Sequence, residues 1–299
     1  MTEPRGGVTR SGETASGATG LHPAGLYDVL LGGTHHYEAD RVAATAALAA
    51  NPRGYLDIRH NRDFVRRAVQ TLVTGAGVRQ FLDVGTGLPT QDHVHQVAQR
   101  AAPEARVVYV DHDPVVLTQA RVLLAGDPRG ATDYVDADLR DPAAVLAAAR
   151  RTLDFNRPVA LVLAAILHFL PDLQAQEAVR TLVDALPAGS HLVLSHLTAD
   201  VNPGPMGQVA AIYRSSGFPF WLRPRTAVER FVTDNGLIPL APGTVPAHHW
   251  RPDGATRRPP CPDARRRTAL DAVERTRYAD INDVTDADIN VYAVVGRKT

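Results

Sequence analysis

Three acids and two glycines, between residues 83 and 138, have the types and spacing to hold a nucleotide-like small molecule. Phe81, Leu82 and Val84 form a short apolar run around Asp83, and Gly85, Thr86 and Gly87 break it. A buried strand, a glycine turn and then a helix, expected from Gln91 to Ala101, bring backbone against a bound nucleotide-like ligand. Glycine suits the turn because a Cβ would block that approach and because φ there is often positive. Asp83 departs from a plain dinucleotide loop, since a carboxylate repels a pyrophosphate and attracts a ligand carrying an amino group. Taken alone, the stretch also reads as an ordinary strand-to-helix turn with an incidental acid.

Asp111 follows Asp83 by 28 residues and ends a second apolar run. One βαβ crossover would bring it beside the glycine turn. There a carboxylate can accept from two ribose hydroxyls, at roughly 1.5–3 kcal/mol for each charged hydrogen bond. An exposed strand-end acid is the plainer alternative. Asp138 follows the third apolar run, where it can accept an adenine amino group while Leu139 packs on the ring. It could equally help to start the next helix. Thr86 and His112, beside these acids, complete the ligand-facing set.

Alternating strands and helices must position these groups. Strands are expected at 81–84, 106–110, 132–135, 159–164 and 191–195, with final ones at 237–240 and 291–295. Asp113-Pro114 and Asp141-Pro142 each offer an N-cap followed by a first-turn proline. Helices are also expected at 173–185 and 226–235. Such alternation predicts a parallel sheet covered on both faces, with ligands at the carboxyl ends of the strands. Ahead of it, helices over 24–31, 38–50 and 56–74 form a preface, interrupted at Gly32-Gly33. Residues 1–20 are expected to be a disordered tail. The proline- and arginine-rich Arg251 to Asp288 stretch reads as a surface excursion, helical over 268–278.

Composition narrows the function classes. Lys+Arg and Asp+Glu are 32 each, so no polyanionic partner such as nucleic acid is indicated. Lys298 is the only lysine, and the arginine bias fits a GC-rich genome. Cys261 is alone, which excludes an internal disulfide framework and a thiolate metal cluster. With no membrane-length apolar run and no signal-peptide core, a soluble cytoplasmic protein is expected.

Five stretches carry a resemblance in combination: FLDVGTGLPT (81–90), VYVDHDPVVLTQAR (108–121), DADLRDP (136–142), RPVALVLAAILHFLPD (157–172) and GSHLVLSH (189–196). Together with LYDVLLGG and NRDFVRRAV in the preface, they resemble the actinobacterial S-adenosyl-methionine-dependent methyltransferases once catalogued as a domain of unknown function. The likeness runs from about His22 to Lys298. It implies an α/β class I methyltransferase fold: a Rossmann-like, mostly parallel sheet with a final antiparallel strand, over 79–299. It also implies a helical N-terminal lid over 21–78 and S-adenosyl-L-methionine as cofactor. At matching positions, Asp83, Gly85 and Gly87 would line the cofactor, Asp111 would hold the ribose and Asp138 would face the adenine. Leu88 and Pro89 stand where methyltransferases often have a third glycine, although the family shares that ending. Thr34, His35 and His36 depart from the more usual lysine, acid and asparagine.

The methyl acceptor is expected to be a small molecule of specialised metabolism. His168, in ILHFLPD, would face the transfer site and could deprotonate a nucleophile; alternatively it fixes the loop after the fourth strand. His35 and His36 could reach the pocket if the preface folds over it, and otherwise are solvent-facing. Arg62, with Asn61, is a candidate for the methionine carboxylate. His93 and His95 read as structural, and His196 lies near the site. No metal is expected: His248 and His249 resemble a ligand pair, but neighbours in an extended stretch face opposite ways. Rival readings are a nicotinamide-dependent oxidoreductase, a non-catalytic cofactor-binding protein, and a cofactor-dependent cyclisation or other alkyl transfer. Oligomeric state is open.

Overall fold

The computed structural model describes residues 20–88, 92–123, 126–254 and 270–299. Most of the expected tail, Cys261 and the middle of the excursion lie outside the described residues, as do Pro89, Thr90 and Gln91.

Three helices come first: α1 (Pro23–Leu31), α2 (Glu38–Ala50) and α3 (Gly54–Gly75). Then β1 (Gln80–Val84), α4 (Val94–Ala101), β2 (Arg106–Asp111), α5 (Pro114–Leu123), β3 (Ala131–Asp136), α6 (Pro142–Ala149) and β4 (Ala160–Ala164) alternate. A 3-10 turn (Leu167–Phe169) leads to α7 (Asp172–Asp184), β5 (His191–Leu197), α8 (Pro203–Ser215), α9 (Arg225–Thr233), β6 (Leu237–Pro239) and β7 (Val245–Pro246). Two more 3-10 turns, Ala247–His249 and Asp286–Asp288, flank α10 (Ala272–Arg277) before β8 (Val291–Lys298).

The strands form one sheet in the order β3-β2-β1-β4-β5-β8-β6. β1 to β5 run parallel. β8 lies antiparallel between β5 and β6 and also pairs with β7. This is the α/β sheet expected, with its late antiparallel strand. The two Asp-Pro pairs act as read: Asp113 accepts from the Val115 N–H at 2.8 Å, and Asp141 from the Ala144 N–H at 3.0 Å.

Alternation along β1 divides the core. Leu82 and Val84 join Val145, Leu146, Val179 and Leu182 of α6 and α7 on one face. Phe81 joins Phe64, Ala68, Val69 and Leu72 of α3 on the other. The helical preface therefore shares a core with the sheet. At about 25 cal/mol per Å² of apolar burial, removing such a helix would expose far more area than a domain's net stability covers.

Two stretches differ from expectation. α8 went unread because Gly204, Pro205 and Gly207 make its first two turns look like loop, although Asn202-Pro203 is a third cap-and-proline pair. Part of the excursion is docked: Val273 and Thr276 of α10 are buried, and Arg277 donates to the Gly33 carbonyl at 3.0 Å. Among the described residues no helix is long and apolar enough to cross a membrane.

Candidate active site

The carboxyl ends of β1, β2 and β4 surround a cavity of about 580 Å³, within the roughly 300–1,000 Å³ usual for small-ligand sites. The glycine turn forms its floor. Gly85 has φ +79°, and its N–H continues the ladder to the Val110 carbonyl at 2.8 Å. A Cβ there would lie 2.6 Å from Ile166 Cγ1. Gly87 has φ +68° and open space where a Cβ would be. Both positions demand glycine by conformation, and Gly85 also by contact. Thr86 turns its hydroxyl back to the Asp83 and Val110 carbonyls and does not line the cavity.

Asp111 reaches across from β2. Its carboxylate accepts the Gly87 N–H at 3.0 Å and the Asp113 N–H at 3.0 Å. A carboxylate offers about four acceptor sites, so two backbone bonds leave capacity toward the cavity that Asp111 lines. Burial raises its pKa, against the two backbone bonds. That makes further donors favourable. A cradle without side chains beside an acid with spare acceptor capacity fits a ribose.

Asp138 and Leu139 stand on the wall after β3, with His112 at the rim. Asp138 is already engaged, since Arg140 donates to it from Nε and from its backbone N–H, each at 2.8 Å. Burial raises the Asp138 pKa, but these bonds outweigh it and leave it lowered. Asp83 lies behind the glycine turn on the side covered by α1 and α3, 7 % exposed. Burial pushes its carboxyl up to about 7; the Arg62 charge opposes this and Asp111 adds to it. Arg62 thus acts on Asp83 and, through space, on Tyr27 of α1. Asn61 donates to the Tyr27 hydroxyl at 2.9 Å.

The opposite wall is apolar, formed by Ile166, Phe169, Leu170, Pro171, Phe218 and Pro219, with Pro23 above. Ala165 enters this wall at φ +54°, unusual without glycine. Its N–H is held by the Ser195 hydroxyl at 3.0 Å, so buried Ser195 helps to fix a strained residue beside the cavity.

His168 does not face the cavity. The 3-10 turn points Phe169 inward and His168 into the core, against Phe220 and His196. Burial, with the His196 and Arg223 charges, lowers its pKa far below the usual range. His196 is buried too, its Nδ1 2.7 Å from the Leu197 carbonyl and its Nε2 2.7 Å from Arg223. Arg223 also donates to the Leu167 and Leu170 carbonyls at 2.8 and 2.7 Å and to Asp172 at 2.9 Å. It ties the whole β4–α7 connection together.

His35 and His36 also lie away from the cavity wall. The His36 ring nitrogen and the His35 N–H both meet Asp28 Oδ2, each at 2.9 Å. The Gly32-Gly33 break is no hinge, because a Cβ on Gly33 would fall 1.9 Å from Asp28 Oδ1. Glycine serves close packing there. His93 and His95 are buried, and His95 bonds the Tyr109 hydroxyl at 2.8 Å, a structural role as read.

The sequence reading missed His22, which lines the cavity with Nδ1 3.1 Å from Asp113 Oδ2. It also missed the Phe218-Pro219 wall, which is carried by the connection after the unread α8. The one available signal for His22 was its place at the start of the resemblance.

A family model for S-adenosyl methyltransferases matches residues 13–299. A crystal structure of a DUF574 family protein from Streptomyces avermitilis is similar at 42 % identity, covering 94 % of this chain and 98 % of that one, with TM-score 0.82. Another, from Thermobifida fusca, is similar at 35 % identity over 95 % of this chain and 97 % of its own, with TM-score 0.78. No curated protein matches. With the glycine cradle, its flanking acids and a match over nearly the whole length, the chain belongs to the S-adenosyl methyltransferase family, enzymes whose methyl donor is S-adenosyl-L-methionine.

Proposed function

We propose that the enzyme methylates a small organic acceptor held against the apolar wall of the cavity, in a pathway of specialised metabolism. The supporting observation is the cavity's two-sided character: acids and bare backbone on one side, Phe169, Leu170 and Phe218 on the other. A macromolecular acceptor would need an open charged face, and the chain's charges balance.

In this reading Gly85 and Gly87 give backbone access, Asp111 accepts the ribose hydroxyls and Leu139 packs on the adenine. Asp83 and Arg62 lie behind the lining of the cavity, and the amino-acid end of the cofactor reaches toward them past the glycine turn, its ammonium toward Asp83 and its carboxylate toward Arg62. The bound cofactor supplies an electrophilic methyl, so the protein's main task is to align the acceptor and exclude water. The apolar wall does both. Where the acceptor carries a proton, His22, oriented by Asp113, is the imidazole best placed to take it. A nicotinamide cofactor finds less support, because Asp83 and Asp111 flank the loop that a pyrophosphate would occupy.

Labelled methyl from the cofactor should appear in the low-molecular-mass fraction of an extract incubated with the enzyme. Label confined to protein or RNA would overturn the acceptor class. Asp111→Ala should weaken S-adenosyl-homocysteine binding by at least about 1.5–3 kcal/mol, the share of one charged hydrogen bond, or roughly 10- to 150-fold. Unchanged affinity by calorimetry removes Asp111 from the ribose role.

Asp83 also sets a pH dependence. Its free-enzyme pKa is about 7, and an ammonium ligand favours its ionised form. Below pH 7 binding must therefore displace a proton, and affinity should rise as pH approaches 7 and then level off. Asp83→Asn should flatten that rise. A profile independent of pH in the native enzyme would exclude the Asp83–ammonium pairing.

A further inference from the structure

His248 and His249 were expected to diverge because an extended backbone sends neighbours to opposite faces. The chain instead makes a 3-10 turn over Ala247–His249. The rings lie 3.9 Å apart between centroids, and both Nε2 atoms meet the same oxygen, Asp286 Oδ1. For His248 that distance is 3.0 Å. Asp286 comes from the other 3-10 turn, 37 residues beyond His249. The three donor atoms lie within 4.8 Å of one another.

We propose that His248, His249 and Asp286 bind a divalent ion of the zinc class, which clips together the two ends of the Arg251 to Asp288 excursion. Imidazole nitrogens and one carboxylate are a donor set for zinc and its first-row neighbours, whereas magnesium and calcium prefer all-oxygen sites. Imidazole must be neutral to ligate. His60 of α3 stands behind His248 at 5.7 Å between ring centroids, itself tied to the Ile281 carbonyl at 2.9 Å. Its Nδ1 is buried without a hydrogen-bond partner. None of these residues lines the methyl-transfer cavity, so the ion's role is structural.

Closing a loop of this length matters physically. An ion bound only by the folded chain stabilises it by RT ln(1 + [ion]/Kd). It would link the turn after β7 and the approach to β8 at one point, beside His60 of α3.

The untagged full chain should bind one Zn²⁺ in competition with a chromophoric chelator. Co²⁺ in its place should give the visible ligand-field band of a four- or five-coordinate ion. His249→Ala and Asp286→Asn alter side chains that are 50 % and 72 % exposed, so both variants should fold. Each should weaken zinc binding by roughly 100-fold, about one ligand's share of a structural zinc site. Zinc should raise the melting temperature of the native chain but not of the double variant. Affinity for S-adenosyl-homocysteine should be the same in all, which separates this site from the methyl-transfer reading. Equal zinc affinity in the native chain and the double variant, or no binding to either, overturns the proposal.

Discussion

Arg223→Met should destabilise the fold by about 3–5 kcal/mol, the range for removing one member of a buried charged network. Arg223 is 4 % exposed and serves the Leu167 and Leu170 carbonyls and His196 Nε2 at once. Methionine fills similar volume but strands those three acceptors, at about 1–3 kcal/mol for each unsatisfied buried group. Asp172, the fourth partner, is 78 % exposed, and such a pair contributes only about 0–1 kcal/mol. Lysine should rescue little, since it lacks the planar fork that meets several acceptors. Urea unfolding should therefore rank Arg223→Met and Arg223→Lys far below Asp172→Ala. If Asp172→Ala costs as much as Arg223→Met, the ion pair and not the carbonyl clamp is what stabilises the loop. Because the same loop presents Phe169 to the cavity, KM for the acceptor should rise as well.

Gly85→Val should abolish cofactor binding within ordinary assay range, a loss of more than about 100-fold. A left-handed conformation costs an L-residue about 1–2 kcal/mol, and a β-branched one tolerates it least. The new Cβ would also press on Ile166, with Cγ1 at 2.6 Å and Cβ at 3.0 Å. Ile166 cannot swing clear, because its own Cβ is among the close atoms, so the cavity wall must shift. Gly87→Ala is the control. It carries the same positive φ but meets no protein atom within 4 Å, so the fold should lose only the conformational cost of about 1–2 kcal/mol, and any further loss of cofactor affinity comes from a methyl facing the cavity that Gly87 lines. Comparable losses of stability in urea at the two positions would mean that strain alone, without the Ile166 contact, governs the turn.

What was legible in the sequence was local. The β1 run, the glycine turn and the Asp-Pro helix starts are written in adjacent residues, and each appears where it was read. Asp111 could be placed because one crossover has a narrow range of lengths. Side-chain direction was not legible where it depends on a turn of a few residues. The 3-10 geometry at Leu167–Phe169 sends His168 into the core, and that at Ala247–His249 brings His248 and His249 together. Gly33 was read as an interruption of the preface, but its reason is Asp28, whose carboxyl fills the space a Cβ would need. Nothing in the local pattern announces that contact. His22 pairs with Asp113 across 91 positions of sequence, beyond the reach of any spacing rule.

The antiparallel placement of β8 bears on how the chain is made. β5 and β6 are not neighbours; each bonds to β8, which is inserted between them. Val294 and Val295 of β8 are fully buried. More than fifty residues separate β6 from β8, or roughly 3–10 s of synthesis at about 5–20 residues per second. During that interval the nascent chain carries an unpaired apolar edge on β5 and no partner for β6. Such edges recruit other chains, so translation of this stretch is the window in which a chaperone on the ribosome, or a slower or faster run of codons, should most alter the yield of native enzyme.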